Sequence, residues 1–128
     1  MKQLHAEYGK DAEFLVVYIE EAHALDGVMP KGSGDDPIVE EPITIDERKA
    51  VAETCSGALD MSPMRMLIDD MQDTTSRAYA AFPDRLYLVG KDGKLVYTGG
   101  KGPRGFKPDE LEDALRSELK LAPKERKR

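Results

Sequence analysis

The sequence predicts an α/β domain, and three observations carry that prediction. The nearly all-apolar run "FLVVYI", Phe14 to Ile19, suits a strand covered on both faces, as in an α/β sheet. Helical periods and strand-like runs alternate after it. Two late strand runs are joined by the tight Lys91-Asp92-Gly93 turn, the signature of a hairpin. At 128 residues the chain is long enough to bury a core without disulfides or a metal.

The elements follow in order. "MKQLHAEYGKD" pairs Leu4 with Tyr8 at helical spacing and stops at Gly9, a C-terminal cap, so it reads as the end of a helix. After the first strand, residues 24–43 have no period and are rich in Gly, Pro and acid, which reads as a long surface loop. Thr44 to Glu47 is a capping box opening a helix to about Leu59, with Val51, Ala52, Cys55, Ala58 and Leu59 as its apolar face. "MRMLID", residues 64–69, reads as a second strand. A short helix runs from Thr74 or Thr75 to Ala81, capped by Asp73 or Thr74, with Ala78, Tyr79 and Phe82 facing inward. Pro83 leads into "DRLYLVG", the third strand, and "KLVYT" returns as the fourth. Pro108 sits just inside a last helix, Asp109 and Glu110 fill its first turn, and Leu111, Leu115 and Leu119 form its buried stripe.

The order (partial α)-β-α-β-α-β-β-α, with a Pro ahead of the terminal hairpin and a closing helix, is the plan of a thioredoxin-like domain. Residues 1–122 read as one such domain, incomplete at its N-terminus, and 123–128 as a basic tail that is solvated and frayed.

Composition excludes several function classes. A net charge of −6 and a pI near 5.0 make the body a poor nucleic-acid binder. No apolar run approaches a membrane span, and Lys2, His5, Glu7 and Lys10 interrupt any signal-peptide pattern. The single cysteine, Cys55, excludes an internal disulfide, a CxxC redox pair and a cysteine-rich zinc site. The expected location is a reducing, cytoplasmic compartment.

Four features compete for chemistry. Cys55 falls four residues after Val51 on an apolar helix face, where a thiol is protonated and inert, so a structural role is expected. Gly100 to Gly105, "GKGPRG", matches GxGxxG formally, but no βαβ unit surrounds it and Pro103 stiffens the turn. A milder reading is a loop carrying Lys101, Arg104 and Lys107 beside a helix N-terminus, fit to hold a carboxylate or phosphate; spacing leaves that level with a plain solvated connection. Asp35-Asp36 and Asp69-Asp70 lack cation-loop spacing and read as acidic loop ends, so no metal is expected. The fourth feature is "EEAH". Glu20, Glu21 and His23 stand at the carboxyl end of the first strand, where ligands of α/β sheets gather, and a carboxylate beside His fixes its tautomer and raises its pKa. A structural histidine would look the same.

"FLVVYIEEAHALDG" resembles the iodothyronine deiodinases, whose sequences carry a VYIEEAH segment followed by an Asp-Gly turn. The resemblance resumes at "DERKAVAE" and continues through "MLIDDMQDTTSRAYAAFPDRLYLVGKDGKLVYTGGKGPRGFKPDELEDAL". It spans Tyr8 to Leu119 apart from the 28–43 loop, and Pro83 and "GFKPDEL" are similar to the bacterial branch.

That resemblance implies a thioredoxin-fold oxidoreductase that removes iodine reductively from an iodothyronine, using a selenocysteine or cysteine. It implies His23 as proton donor or phenol clamp, Glu21 as the acid supporting it, and Tyr18 and Phe82 as aromatic flanks of the substrate site. Lys101 falls where vertebrate relatives have a substrate-binding arginine, with Arg104 on the same loop. No bound cofactor is implied; a thiol reductant is the co-substrate, and homodimers are the family's habit. Alternatives from the same residues are a peroxiredoxin-like thiol reductase and a non-catalytic small-molecule-binding module.

The chain also departs from the family. The loop with the reactive Sec or Cys, and the first core strand before it, have no counterpart among these residues, and Cys55 does not replace the nucleophile. Val28 stands where a Trp usually follows Asp-Gly, Thr44-Ile45-Asp46 stands where a second histidine is expected, and Met64 stands near a resolving-cysteine position. The expectation is a truncated chain, inactive by itself, begun at an internal Met downstream of a selenocysteine or cysteine codon.

Overall fold

The structure is a computed structural model and describes residues 1–22 and 40–127. The described elements are α1 (Lys2–Tyr8), β1 (Leu15–Tyr18), α2 (Ile45–Ala58), β2 (Arg65–Ile68), α3 (Thr74–Tyr79), β3 (Tyr87–Val89), β4 (Leu95–Thr98) and α4 (Pro108–Glu118). This is a mixed α/β chain in the expected element order. Two compact units are distinguished, Lys2–Phe82 and Pro83–Arg128. The 24–43 loop falls almost wholly outside the described residues. No helix among the described residues is long and apolar enough to cross a membrane.

In the first unit, α1 buries Leu4 and Tyr8 and closes with the Gly9 N–H donating to the His5 carbonyl at 2.8 Å. β1 and β2 pair in parallel, Leu15 opposite Arg65 through Tyr18 opposite Ile68. Leu15, Val17 and Leu67 are exposed, while Val16, Tyr18, Met66 and Ile68 are half-buried. The all-apolar run had predicted cover on both faces. Periodicity cannot separate a two-sided strand from a one-sided strand with apolar outer residues, and this one is covered on a single face among the described residues.

α2 is capped as its sequence dictates. The Thr44 hydroxyl accepts the Glu47 N–H at 3.2 Å, and the Glu47 carboxylate reaches back to the Ile43 N–H at 2.8 Å, one residue further than a standard capping box. Its buried face differs from the apolar stripe expected. Ala52 is buried and Val51 and Cys55 half-buried, but Ala58 and Leu59 are exposed, and Arg48 is buried with only 2% of its surface accessible. Cys55 is therefore not fully sequestered, nor is it without an interaction.

In the second unit, β3 and β4 form the predicted antiparallel hairpin, Tyr87 opposite Thr98, with an irregularity between Leu88 and Val89. Gly93 takes φ = 80°, the left-handed turn conformation that the Asp-Gly pair supplies. Glu118 accepts the Lys91 N–H at 3.0 Å, fastening that turn to the end of α4. α4 starts on Pro108 and buries Leu111 and Leu115.

The tail is ordered against α4 instead of frayed. Glu112, only 4% exposed, accepts Lys124 at 2.7 Å and Arg126 at 3.1 Å, and Arg126 also reaches Asp113 at 2.7 Å. A carboxylate placed on the buried side of a helix demands a counter-charge, and the tail supplies two. The hydrogen bonds from Asp113 and Glu112 hold the Arg126 guanidinium protonated well beyond its ordinary range.

Candidate functional site

The carboxyl end of β1 is built by its neighbour. Beyond the last ladder pair, the Asp69 N–H donates to the Tyr18 carbonyl at 2.8 Å, so the residue after β2 fixes the last residue of β1. Asp69 is itself held hard. Its carboxylate, 3% exposed, accepts backbone N–H groups from Ser76 at 2.8 Å, Thr75 at 2.9 Å and Asp70 at 3.0 Å. Burial pushes its pKa up, but these hydrogen bonds outweigh it and the net shift is downward. Asp70 accepts the Thr74 hydroxyl at 2.6 Å and the N–H groups of Thr74 and Gln72, which also lowers its pKa.

The Asp pair thus serves as the N-terminal cap of α3 from the strand before it. Asp73, the residue expected to cap, makes no side-chain cap bond and has a left-handed backbone instead. α3 buries Ser76, whereas Ala78 and Tyr79 are exposed, the reverse of the predicted inward face. The displaced cap explains the rotation: with Asp69 drawing the Ser76 N–H into the interior, Ser76 takes the inward position.

On this frame Tyr18 is half-buried, and its hydroxyl is buried with no hydrogen-bond partner among the described residues. A buried phenol without a partner is costly unless a ligand atom or water satisfies it. Glu21, three residues on, is half-buried and engaged in an interaction of its own. Phe82 is half-buried after α3. His23 and the Asp35-Asp36 pair lie outside the described residues.

Lys101 and Arg104 lie together on the second unit's loop between β4 and α4. The loop is pegged at both ends. Gly99 accepts the Arg85 guanidinium at 2.6 Å, the Gly102 N–H donates to the Asp84 carbonyl at 2.9 Å, and the Gly105 N–H donates to the Lys101 carbonyl at 2.9 Å. Gly100 and Gly105 approach so closely that a Cβ on Gly105 would overlap the Gly100 backbone, and one on Gly102 would overlap the Asp84 carboxylate. The glycines are there for this close approach rather than to cradle a dinucleotide.

Of the loop's three cations, Lys107 is engaged. Its ammonium meets Glu110 at 3.0 Å, and Glu110 also accepts the Tyr97 hydroxyl at 3.3 Å. The Glu110 hydrogen bond and charge raise the Lys107 pKa, while burial and then the Glu110 charge raise that of Tyr97. Lys101 and Arg104 are exposed and pair with no acidic side chain among the described residues, which leaves two cations for an anion.

Arg48 is the residue that sequence reasoning missed. It donates to the Asp70 carbonyl at 2.6 Å, to the Asp69 carbonyl at 3.5 Å and to the Asp73 carboxylate at 2.9 Å. A signal was present: Arg48, Ala52 and Cys55 fall on one helical face, so the charged residue shares the stripe that had to be buried.

A family model described as "Iodothyronine deiodinase" matches residues 1–118. Thyroxine 5-deiodinase of Sparus aurata is 36% identical over 111 residues, covering 86% of this chain and 39% of the relative. The human thyroxine 5-deiodinase is 34% identical over 114 residues, covering 86% of this chain and 34% of the relative, and the protein of Sus scrofa is similar to the same extent. The chain spans little more than a third of the length of these curated relatives. With the family model matching residues 1–118, from α1 through α4, the chain belongs to the iodothyronine deiodinase family.

Proposed function

We propose that this chain carries the substrate-binding part of a deiodinase-type oxidoreductase of thioredoxin-like plan, acting on an iodothyronine-like aryl iodide. The observation that carries this reading is the position of Tyr18: it is the last residue of β1, its hydroxyl is buried without a partner among the described residues, and the segment that resembles the family's EEAH begins two residues later, at Glu20.

In this reading a selenolate or thiolate other than Cys55 attacks iodine. The carbon–iodine electron pair returns to the ring carbon, which takes a proton, and a thiol reductant then frees iodide from the oxidised chalcogen. His23 supplies that proton and Glu21 sets its tautomer. Lys101, aided by Arg104, holds the substrate's carboxylate. A lysine gives a point charge where an arginine would give a planar fork, so recognition relies on charge more than on geometry. Tyr18 and Phe82 contribute aromatic contact, and the chain alone binds without turnover. Homodimer formation belongs to the same reading and is tested by light scattering.

Equilibrium dialysis with labelled thyroxine tests the core of the proposal. Saturable binding that falls in His23→Ala and in Lys101→Gln is the expected result. Thyroxine that fails to bind, or binds equally to both variants, overturns it.

A further inference from the structure

We propose that Arg48 is the positioning residue for the carboxyl end of β1, and hence for the substrate site; this rests on the reading that places the site there. Arg48 is almost wholly buried and belongs to α2. Its guanidinium grips the two carbonyls at the point where β2 ends, Asp69 at 3.5 Å and Asp70 at 2.6 Å. The N–H of the same Asp69 donates to the Tyr18 carbonyl at 2.8 Å. One short chain of bonds therefore runs from α2 to the last residue of β1, with a single residue, Asp69, between the arginine and the strand.

Two further observations separate positioning from ordinary core packing. A buried arginine among apolar residues is costly, and a hydrophobic side chain of similar volume would serve packing as well or better. Arg48 Nε is also buried without a partner among the described residues, so the guanidinium is not optimised for stability. What it does do is fix the direction in which the backbone leaves β2. The αL conformation of Asp73, φ = 56°, is held by the same guanidinium, at 2.9 Å from the Asp73 carboxylate. Through these bonds α2, the β2–α3 turn and Tyr18 move as one piece.

The roles of the carbonyl bonds and of the ion pair are separable. Asp73→Asn weakens the ion pair and leaves both carbonyl bonds, whereas Arg48→Gln removes all of them. Hydrogen exchange in the full chain then reads the Asp69 amide directly. In Arg48→Gln we expect it to exchange about tenfold faster, or more, relative to the Ala52 and Cys55 amides within α2. In Asp73→Asn the same ratio stays near that of the wild type. At a temperature where every variant is folded, thyroxine affinity falls by about tenfold in Arg48→Gln alone. Should Arg48→Gln not fold, Arg48→Lys is read in the same way, with a smaller loss because a lysine still reaches one carbonyl.

The proposal is overturned if Asp69 loses no more protection than the α2 amides, or if Asp73→Asn reproduces the arginine variant. Wild-type protein that binds no thyroxine would instead remove the functional reading, and the exchange ratio would still decide the positioning role.

Discussion

The Asp69 carboxylate and the Ser76 backbone N–H meet at 2.8 Å, joining the end of β2 to the first turn of α3 across seven residues of chain. The bond places an acidic side chain where the helix's unsatisfied N–H groups point, so a residue outside the helix performs its capping.

That cap has a pH signature. The folded-state pKa of Asp69 lies below its ordinary value of 3.8, so the cap contributes stability above that value and loses it as pH falls through the folded-state pKa. Urea midpoints of the wild type should therefore drop steeply below about pH 4, and those of Asp69→Asn should drop less. At pH 7 the variant is expected to be less stable by about 1–3 kcal/mol, because one amide oxygen cannot replace a carboxylate accepting three N–H groups. Equal acid sensitivity in the two proteins would contradict the assignment.

Helix ends offer a gain of stability. Asp60, Ala80 and Lys120 each follow a helix with positive φ, at 50°, 49° and 58°. In each case the next two N–H bonds close the helix back on itself, as with Ala81 N–H to the Ser76 carbonyl at 2.9 Å. Alanine is strained there, and Ala80→Gly should stabilise the protein by roughly 0.5–1 kcal/mol in urea denaturation. A destabilised variant would show that the αL geometry is not what limits this turn.

The tail clamp should be visible to salt. Glu112→Gln removes the charge that pairs with both Lys124 and Arg126 and one of the two oxygens that accept from them. Its melting temperature is expected to fall by roughly 2–5 °C at low ionic strength, with the difference narrowing in part in 1 M salt, where the half-exposed cations Lys124 and Arg126 are partly screened. Deleting residues 124–128 should have the same effect or a larger one, since it leaves a buried carboxylate unpaired. A melting temperature unchanged by both would mean that the tail only rests on α4.

Charge on the β4–α4 loop should govern ligand binding and not folding. Lys101→Gln is expected to weaken thyroxine binding by about tenfold with no change in melting temperature, and Lys101→Arg to preserve or improve it. Affinity that is indifferent to both substitutions would move carboxylate recognition elsewhere.

Much of this was legible because the signals are local. The hairpin was marked by Lys91-Asp92-Gly93, α2 by Thr44 and Glu47, and α4 by Pro108 with Leu111 and Leu115 one turn apart. What escaped was tertiary. The inward turn of Arg48 depends on carbonyls that only the folded β2–α3 junction presents. The α3 face was misread because its cap came from Asp69, before the helix, instead of from Asp73 or Thr74. Lys124 and Arg126 read as a solvated tail because their partner, Glu112, gives no sign in sequence that it is buried. The family resemblance reached further than any of these signals, since YIEEAH and GGxGPxGF hold their meaning across chain distance.

The close approach of Gly100 and Gly105 makes the loop between β4 and α4 a ready scaffold for reprogramming. The backbone path is tightest at Gly105, where an added Cβ would overlap the Gly100 backbone, while the side chains at 101 and 104 are exposed. Frame and cargo are thus encoded by different residues. A library confined to Lys101 and Arg104 would vary the charge this loop presents without the fold having to be selected again.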